Sequence, residues 1–256
     1  GGLGFIGHNF IKYMFDHLDY LVYSSHKTAT QTIVHTLNEN GFKSGYIHTI
    51  DQLWITFDHC RDKTIEEVKH LFLDGLRQYK RNNGRKMPLI TVIRNPVDRL
   101  ISSFFQTYDT DQMHFKRVPS ENTTVQTHNV YELLNMYESH ILHKTLKLRT
   151  EALDEMSHVF DISIIDNLEK RKGYDYFEND LIELYIIDFP CVVSKYFLNY
   201  INYVLKVNLT KKVDSNTTDS KRYKEKYKLA KILLTREVKD IIRSQYHPYY
   251  FKKPII

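Results

Sequence analysis

Cysteine, glycine and proline are all scarce in this chain, and long hydrophobic runs are missing. Two cysteines, Cys60 and Cys191, among 256 residues are too few for a disulfide framework, although a single bridge stays open. Nine glycines, six prolines and 42% hydrophobic residues exclude a collagen-like or disordered polymer. The longest apolar stretches, residues 184–193 and 196–205, are far shorter than the roughly 18 residues that cross a bilayer. The composition therefore predicts a globular chain without a membrane span.

The charge balance is mildly basic. Thirty-six Lys and Arg against 31 Asp and Glu give a formal net charge of +5, which suits an anionic small ligand or a polyanionic substrate but does not indicate nucleic-acid binding. No basic segment followed by an apolar run opens the sequence, so we expect no signal peptide and favour a cytoplasmic location. The oligomeric state stays open.

Short apolar strands alternate with helical patterns along the chain. Strands are predicted at residues 21–24, 46–50, 89–93 and 181–187. Helices are predicted at residues 9–18, around 33–37, and at 64–79, 97–105, 130–148, 151–160 and 229–246. This alternation is typical of an α/β fold with a mostly parallel central sheet flanked by helices.

A turn rich in hydroxyl groups follows the first predicted strand. A helix begins close behind this turn, and the N–H groups and partial positive charge of a helix N-terminus favour a phosphate or sulfate. Lys27 adds a cation, and Thr28, Thr30 and Thr32 add hydroxyl donors. The GxxxxGK[ST] pattern is absent, so an ATP or GTP site is not indicated. The alternative is a helix capped by Ser or Thr beside an exposed lysine.

A second anion-binding pattern follows the strand predicted at residues 89–93. Arg94 stands at the end of this strand, where side chains of an open parallel sheet face the ligand crevice. Ser102 lies eight positions later, two turns into the next helix. The planar guanidinium of Arg94 is suited to a phosphate, and Ser102 adds a hydroxyl. Arg99 is explained as well by an ion pair with Asp98 or another carboxylate.

Together, the two patterns resemble those of the sulfotransferases. Residues 27–30, Lys-Thr-Ala-Thr after a strand, are similar to the loop that binds the 5′-phosphosulfate, with Ala29 where that loop commonly has glycine. Residues 94–102, RNPVDRLIS, resemble the 3′-phosphate motif of an arginine and a serine eight residues later. The likeness, which covers about residues 21–251, is nearest to capsular-polysaccharide sulfotransferase-like proteins. Further points of likeness are the strand of His48, residues 172–174 and residues 215–227.

The resemblance implies a P-loop-like three-layer fold and sulfuryl transfer from 3′-phosphoadenosine 5′-phosphosulfate (PAPS) to a carbohydrate hydroxyl, without a metal. Lys27 would neutralise the leaving phosphate and so take part in catalysis. A late loop containing Lys221, Arg222 and Tyr223 would close over the nucleotide, the alternative being a solvated charge run. The implied nucleotide-binding residues are Lys27, Thr28, Ala29, Thr30, Gln31, Thr32, Arg94, Ser102, Lys221, Arg222 and Tyr223.

An acceptor hydroxyl also needs a general base. His48 on the second predicted strand is the first candidate, because neutral imidazole suits this role near pH 7. The alternatives are His26, His59, Asp51 and Asp58. With 13 histidines in the chain, a structural role for His48 is the competing explanation.

A different resemblance is carried by the first residues. Residues 1–7, GGLGFIG, are similar to the GxxGxxG loop of extended short-chain dehydrogenases and sugar-nucleotide epimerases. The strand that should precede Gly1 is absent, and residues 24–26, Ser-Ser-His, stand where an acidic ribose-binding residue should lie. We therefore expect a remnant or fusion edge at residues 1–20 and a sulfotransferase-like domain at 21–256. The competing functions are a nucleotide-binding module without catalysis and a fragment of a nicotinamide-dependent epimerase or dehydratase.

Overall fold

The computed structural model describes residues 15, 17–48, 64–109, 127–142, 151–168, 173–214 and 223–251. The chain forms two compact units, each assembled from separate segments. Unit 1 comprises Gly1–Ile93, Thr150–Ser215 and Lys253–Ile256, and unit 2 comprises Arg94–Arg149 and Asn216–Lys252. The glycine-rich start at residues 1–7, and most of the remnant expected at residues 1–20, lie outside the described residues.

The described residues contain five strands and nine α-helices. In chain order they are β1 (Tyr20–Tyr23), α1 (Thr30–Glu39), β2 (Ser44–Ile47), α2 (Ile65–Asn83), β3 (Met87–Ile93), α3 (Pro96–Asp109), α4 (Val130–Leu142), α5 (Ala152–Phe160), β4 (Tyr174–Glu178), β5 (Ile182–Asp188), α6 (Phe189–Val192), α7 (Phe197–Leu205), α8 (Lys224–Leu233) and α9 (Arg236–Gln245). Helices α3, α4, α8 and α9 belong to unit 2, and the other elements belong to unit 1.

The five strands form one sheet in the order β2-β1-β3-β5-β4. β2, β1, β3 and β5 are parallel, and β4 pairs with β5 in the antiparallel direction. All seven residues of the central strand β3 are buried, as expected for a parallel strand with both faces covered. The predicted α/β class, with a mostly parallel central sheet flanked by helices, is confirmed.

Helices cover both faces of this sheet, which makes three layers. Val22 of β1 packs with Ile33 of α1 and Ile201 of α7. The next residue, Tyr23, points to the opposite face because side chains alternate along a strand. Its ring meets that of Phe72 of α2 edge-to-face, with centroids 5.8 Å apart. Helices α1 and α7 therefore lie on one face, and α2 lies on the other.

Unit 2 has a hydrophobic core of its own, built from all four of its described helices. Phe104 of α3 meets Tyr137 of α4 edge-to-face with ring centroids 5.1 Å apart, and Phe105 meets Tyr227 of α8 at 5.9 Å. Ile242 of α9 is fully buried in the same cluster. Within the described ranges of both units, no helix is at once long and apolar enough to cross a membrane.

The structure differs from the predicted elements at the C-terminal end. One helix was predicted over residues 229–246, but α8 and α9 are separate. Thr235 is extended and its side chain accepts a hydrogen bond from the N–H of Val238, so it starts a new helix in the way a cap residue does. In addition, α8 begins at Lys224, directly after the residues interpreted as a late loop or a solvated charge run.

Three elements of unit 1 were not predicted at all: β4, the four-residue helix α6, and α7. β4, the last strand in the sheet order, contains three aromatic and two acidic residues and no apolar run. α7 contains Asn199 and Asn202, which interrupt its apolar stretch. Asn202 instead holds the chain beyond the helix, since its amide accepts from the N–H of Leu209 at 2.7 Å and donates to the carbonyl of Leu209 at 2.9 Å.

Gly173 fixes the start of β4. Its φ of +82° lies in the left-handed region, and a Cβ there would stand 2.9 Å from the hydroxyl oxygen of Tyr200 and 3.3 Å from Sγ of Cys191. Its carbonyl accepts the N–H of Asp188 at 2.9 Å. Both conformation and space therefore require glycine at this position.

We expect Gly173→Ala to lower the free energy of unfolding more than Gly41→Ala does. Gly41 also has positive φ, at +89°, but a Cβ added there would have no atom within 4 Å, so alanine should cost about 1 kcal/mol from backbone strain alone. Gly173→Ala should cost roughly 1 kcal/mol more because Tyr200 must move. Urea unfolding of both variants measures the difference, and equal losses would contradict the tight packing around Gly173.

Candidate functional site

The loop between β1 and α1, residues 24–29, is anchored to the sheet by Ser24. The Ser24 hydroxyl accepts the backbone N–H of Val92 at 3.0 Å and lies 3.1 Å from the Val92 carbonyl oxygen. It also lies 2.7 Å from Oγ1 of Thr28. Thr28 donates in turn to the carbonyl of Ser25 at 2.5 Å. Polar contacts thus continue the pairing of β1 with β3 into the β1–α1 loop and set its first turn.

Helix α5 supports the same loop from the other side. The Ser25 hydroxyl donates to Glu151 at 2.7 Å and accepts the N–H of Ala152 at 2.9 Å. Glu151 is 3% exposed, so this charge-assisted hydrogen bond lies in a buried setting. The Tyr23 hydroxyl donates to Glu155, one turn further along α5. No sequence motif pointed to either glutamate, because each lies more than a hundred positions from its partner.

Two residues of the β1–α1 loop adopt the left-handed backbone conformation. The φ angles are +66° at Lys27 and +61° at Ala29. Each non-glycine residue in this region costs on the order of 1 kcal/mol. Ala29 is the N-cap of α1 and provides no side-chain hydrogen bond to the helix. The N–H of Thr32 donates to the carbonyl of Ala29 at 3.0 Å. The N–H groups of Thr30 and Gln31 ahead of it are therefore the part of this terminus that is suited to an anion.

The predicted phosphate-loop side chains divide into two kinds. Thr28, Thr30 and Thr32 are buried, and the hydroxyls of Thr28 and Thr30 lie 3.2 Å apart. These hydroxyls shape the loop from inside. Lys27 and Gln31 are half-buried, so Lys27 is the charged group of the loop that retains access to solvent.

His48, just past the end of β2, lies against this loop. Its Nδ1 is 2.9 Å from the carbonyl oxygen of Ser24. Because a carbonyl only accepts, Nδ1 carries the proton and Nε2 holds the lone pair of the neutral ring. His26 stacks on His48 with ring centroids 3.9 Å apart. The structure therefore brings together the loop, the first candidate base His48 and the alternative base His26.

In unit 2, Arg94 is nearly buried, with 8% of its surface exposed. Its Nη2 donates to the hydroxyl of Tyr227 at 2.8 Å. Burial lowers the pKa of Arg94. The neighbouring Arg99 lowers this pKa further, whereas Tyr227 and Asp98 raise it. A guanidinium stays charged despite such effects. Two neighbouring buried guanidinium groups favour the approach of an anion, since opposite charge stabilises both.

Asp98 is the carboxylate that the sequence suggested first as a partner for Arg99. Asp98 pairs with Lys231, with Nζ and Oδ1 2.9 Å apart, while the buried Arg99 donates to the hydroxyl of Tyr246 at 3.4 Å. This places two tyrosines, Tyr227 and Tyr246, beside the two arginines. The sequence predicted a binding role for neither. Tyr227 does end the segment 215–227 noted as a point of likeness, and it follows Tyr223 by one helical turn.

The other predicted site residues are distributed as follows. Ser102 on α3 is buried in unit 2. Tyr223, which precedes α8, is also buried and packs against Phe105, with ring centroids 5.8 Å apart. The predicted residues that lie outside the described residues are Asp51, Asp58, His59, Lys221 and Arg222. Among the described residues, no three His, Cys, Asp or Glu side chains form a group able to hold a metal ion.

Replacing Ala29 by glycine should stabilise the protein, because glycine adopts positive φ without steric cost. We expect Ala29→Gly to raise the free energy of unfolding by about 0.5–1 kcal/mol. Ala230→Gly is the matched control: Ala230 lies buried within α8, where glycine should cost about 1 kcal/mol. Denaturant unfolding compares the two variants. A loss of stability in Ala29→Gly would contradict the left-handed conformation at the cap.

Comparisons with known proteins assign no family to the chain. No protein-family model matches it, and neither a curated protein nor a solved structure does. Three features of the structure bear on function. They are the left-handed backbone of the β1–α1 loop before α1, the orientation of His48 and the buried arginines of unit 2.

Proposed function

We propose that this protein is a PAPS-dependent sulfotransferase that acts on a carbohydrate hydroxyl. The observation that carries the proposal is the β1–α1 loop. Its half-buried Lys27 lies just before the N-terminus of α1, and Nδ1 of His48 lies 2.9 Å from the carbonyl oxygen of Ser24 in the same loop. Ala29 also has the backbone conformation that explains a glycine at the corresponding position of the sulfotransferase loop. The loop thus fits a phosphosulfate group in both its charge and its backbone.

The topology of the sheet adds support. β1 and β3 are parallel neighbours, so the chain leaves both strands at the same edge, where ligands of open α/β sheets bind. The β1–α1 loop follows β1, and Arg94 is the first residue after β3. We assign the 5′-phosphosulfate to the loop and the 3′-phosphate to Arg94 and Ser102.

The proposed transfer balances without a metal or redox partner. The acceptor oxygen forms a bond to sulfur as the bond between sulfur and the bridging phosphate oxygen breaks. His48 takes the acceptor proton on Nε2, which its hydrogen bond to Ser24 leaves as the basic nitrogen. Lys27 and the N–H groups at the start of α1 neutralise the charge that grows on the leaving phosphate.

Arg94→Ala should remove the preference for a 3′-phosphorylated nucleotide. In calorimetric titrations we expect the parent protein to bind 3′,5′-diphosphoadenosine more tightly than 5′-AMP. Loss of a charge-assisted contact should weaken the first nucleotide roughly 30-fold and leave the second nearly unchanged. Arg77→Ala is the control, because Arg77 is an exposed arginine paired with Asp74 on α2; it should alter neither affinity.

Three outcomes of this titration would contradict the assignment. If Arg94→Ala weakened both nucleotides equally, Arg94 would not contact the 3′-phosphate. NAD is titrated alongside these nucleotides. If the parent bound NAD more tightly than 3′,5′-diphosphoadenosine, the dehydrogenase-like start of the chain would be the nucleotide site. If no nucleotide bound, the sulfotransferase proposal would be wrong.

His48→Gln should separate an enzyme from a nucleotide-binding module. We expect kcat for transfer of labelled sulfate from PAPS to a polysaccharide panel to fall roughly 100- to 10,000-fold, with affinity for 3′,5′-diphosphoadenosine retained. His70→Gln, which changes an exposed histidine on α2, is the control. A parent that binds the nucleotide yet transfers no sulfate would favour the module, and full activity in His48→Gln would move the base to His26 or to another group.

A further inference from the structure

Helix α7 exposes tyrosines where a surface helix usually exposes charged side chains. Tyr196, which precedes the helix, is 62% exposed and Tyr203 is 69% exposed. They lie seven positions apart and therefore share one helical face. The opposite face is anchored in the core, with Phe197 and Ile201 fully buried. Rings held on a fixed helix lose little freedom when they bind a partner.

Strand β4 extends this aromatic surface. Tyr174 meets Tyr203 edge-to-face with ring centroids 5.7 Å apart, and it meets Tyr200 at 6.1 Å. The hydroxyls of Tyr174 and Tyr203 are 3.4 Å apart. We call the three residues Tyr174, Tyr196 and Tyr203 the tyrosine face. Tyr200 supports it from beneath, since its hydroxyl oxygen is buried. The tyrosine face belongs entirely to unit 1 and is separate from the β1–α1 loop in the chain.

The charge along α7 and the residues that flank it has one sign, whereas β4 places one carboxylate, Asp175, next to Tyr174. Residues 189–213 contain no Asp or Glu but four lysines. Lys211 and Lys212 form ion pairs with Glu39 and Asp214. The other two, Lys195 and Lys206, are exposed, and Nζ of Lys195 lies 4.8 Å from the ring centroid of Tyr196. The surface therefore combines aromatic rings with positive charge.

We propose that the tyrosine face binds an anionic polysaccharide. Tyrosine rings pack against the C–H surfaces of sugar rings while their hydroxyls form hydrogen bonds, because the side chain is apolar in its body and polar at its tip. Lys195 and Lys206 complement the carboxylate or sulfate groups of such a chain. A protein partner fits less well, since the cores of protein interfaces are depleted in lysine.

The location of the tyrosine face suits an acceptor polymer that is longer than the single sugar that reacts. This inference about the acceptor rests on the proposed function. Tyr174 pairs with Ile187 near the end of β5, so it lies at the sheet edge from which the β1–α1 loop leaves. In the strand order, β4 is three strands from β1, a span of about 14 Å at the usual strand spacing. A polymer docked at the tyrosine face can therefore present a distant sugar unit for transfer.

Affinity electrophoresis tests the binding directly, without PAPS or turnover. We expect alginate and dextran sulfate in the gel to retard the parent protein, and uncharged dextran to do so much less. Tyr203→Ala and Tyr196→Ala should each weaken the retardation about fivefold, the size expected for one aromatic contact. Tyr131→Ala is the matched control, because Tyr131 is 63% exposed on α4 of unit 2; it should behave like the parent.

The outcomes separate this proposal from the proposed function. If both anionic polymers retard Tyr203→Ala and Tyr196→Ala as they do the parent, the tyrosine face is not the binding surface. If the parent dimerises in sedimentation velocity and Tyr203→Ala is monomeric, a second copy of the chain is the occupant and the proposal is overturned. Retardation lost in these variants, in a protein that does not bind 3′,5′-diphosphoadenosine, would uphold the polysaccharide surface while rejecting the sulfotransferase.

Discussion

The contact between the Ser24 hydroxyl and the main chain of Val92 is the interaction on which the candidate site of unit 1 depends. Where the backbone pairing of β1 with β3 ends, the Ser24 side chain bonds to the main chain of β3 instead. This contact fixes the point at which the loop leaves the sheet. The carbonyl of the same residue orients His48, and its hydroxyl lies beside Thr28. One small side chain thus links the sheet, the loop and the candidate base.

The β1–α1 loop stores strain and is held by polar groups that compensate for it. Lys27 and Ala29 occupy left-handed conformations that the chain would leave if nothing held them. The hydroxyls of Ser25 and Thr28, tied to Glu151 and to the loop backbone, supply that restraint. A site whose dipoles are already aimed needs little rearrangement when charge develops, which is the main source of electrostatic catalysis.

The local sequence pattern predicted most of the strands and helices. Most of the site contacts that it did not predict join segments that are far apart in the sequence. β3 was predicted because an uninterrupted apolar run has few alternatives in an α/β chain. Residues 24–32, Arg94 and Ser102 were selected by their place after strands. The roles of Glu151 and Tyr227 could not be predicted, because the residue that each of them contacts lies more than a hundred positions away in the sequence. Hydrophobic periodicity carries no information on such pairs. α7 was missed for a local reason. Asn199 and Asn202 interrupt its apolar pattern, and Asn202 holds the chain beyond the helix at Leu209.

The discontinuous make-up of unit 1 has a consequence for how the protein is made on the ribosome. β3 pairs along its whole length with β5, yet the segment Arg94–Arg149 of unit 2 is synthesised between them. At translation rates of about 5–20 residues per second, one edge of β3 waits on the order of ten seconds for its partner. The run Leu-Ile-Thr-Val-Ile at residues 89–93 is uncharged and rich in β-branched residues, and such a run is prone to aggregate during this delay. Arg85 and Lys86 before it, and Arg94 after it, are the kind of flanking charges that keep nascent chains apart. Arg94 thus serves the protein before it has folded.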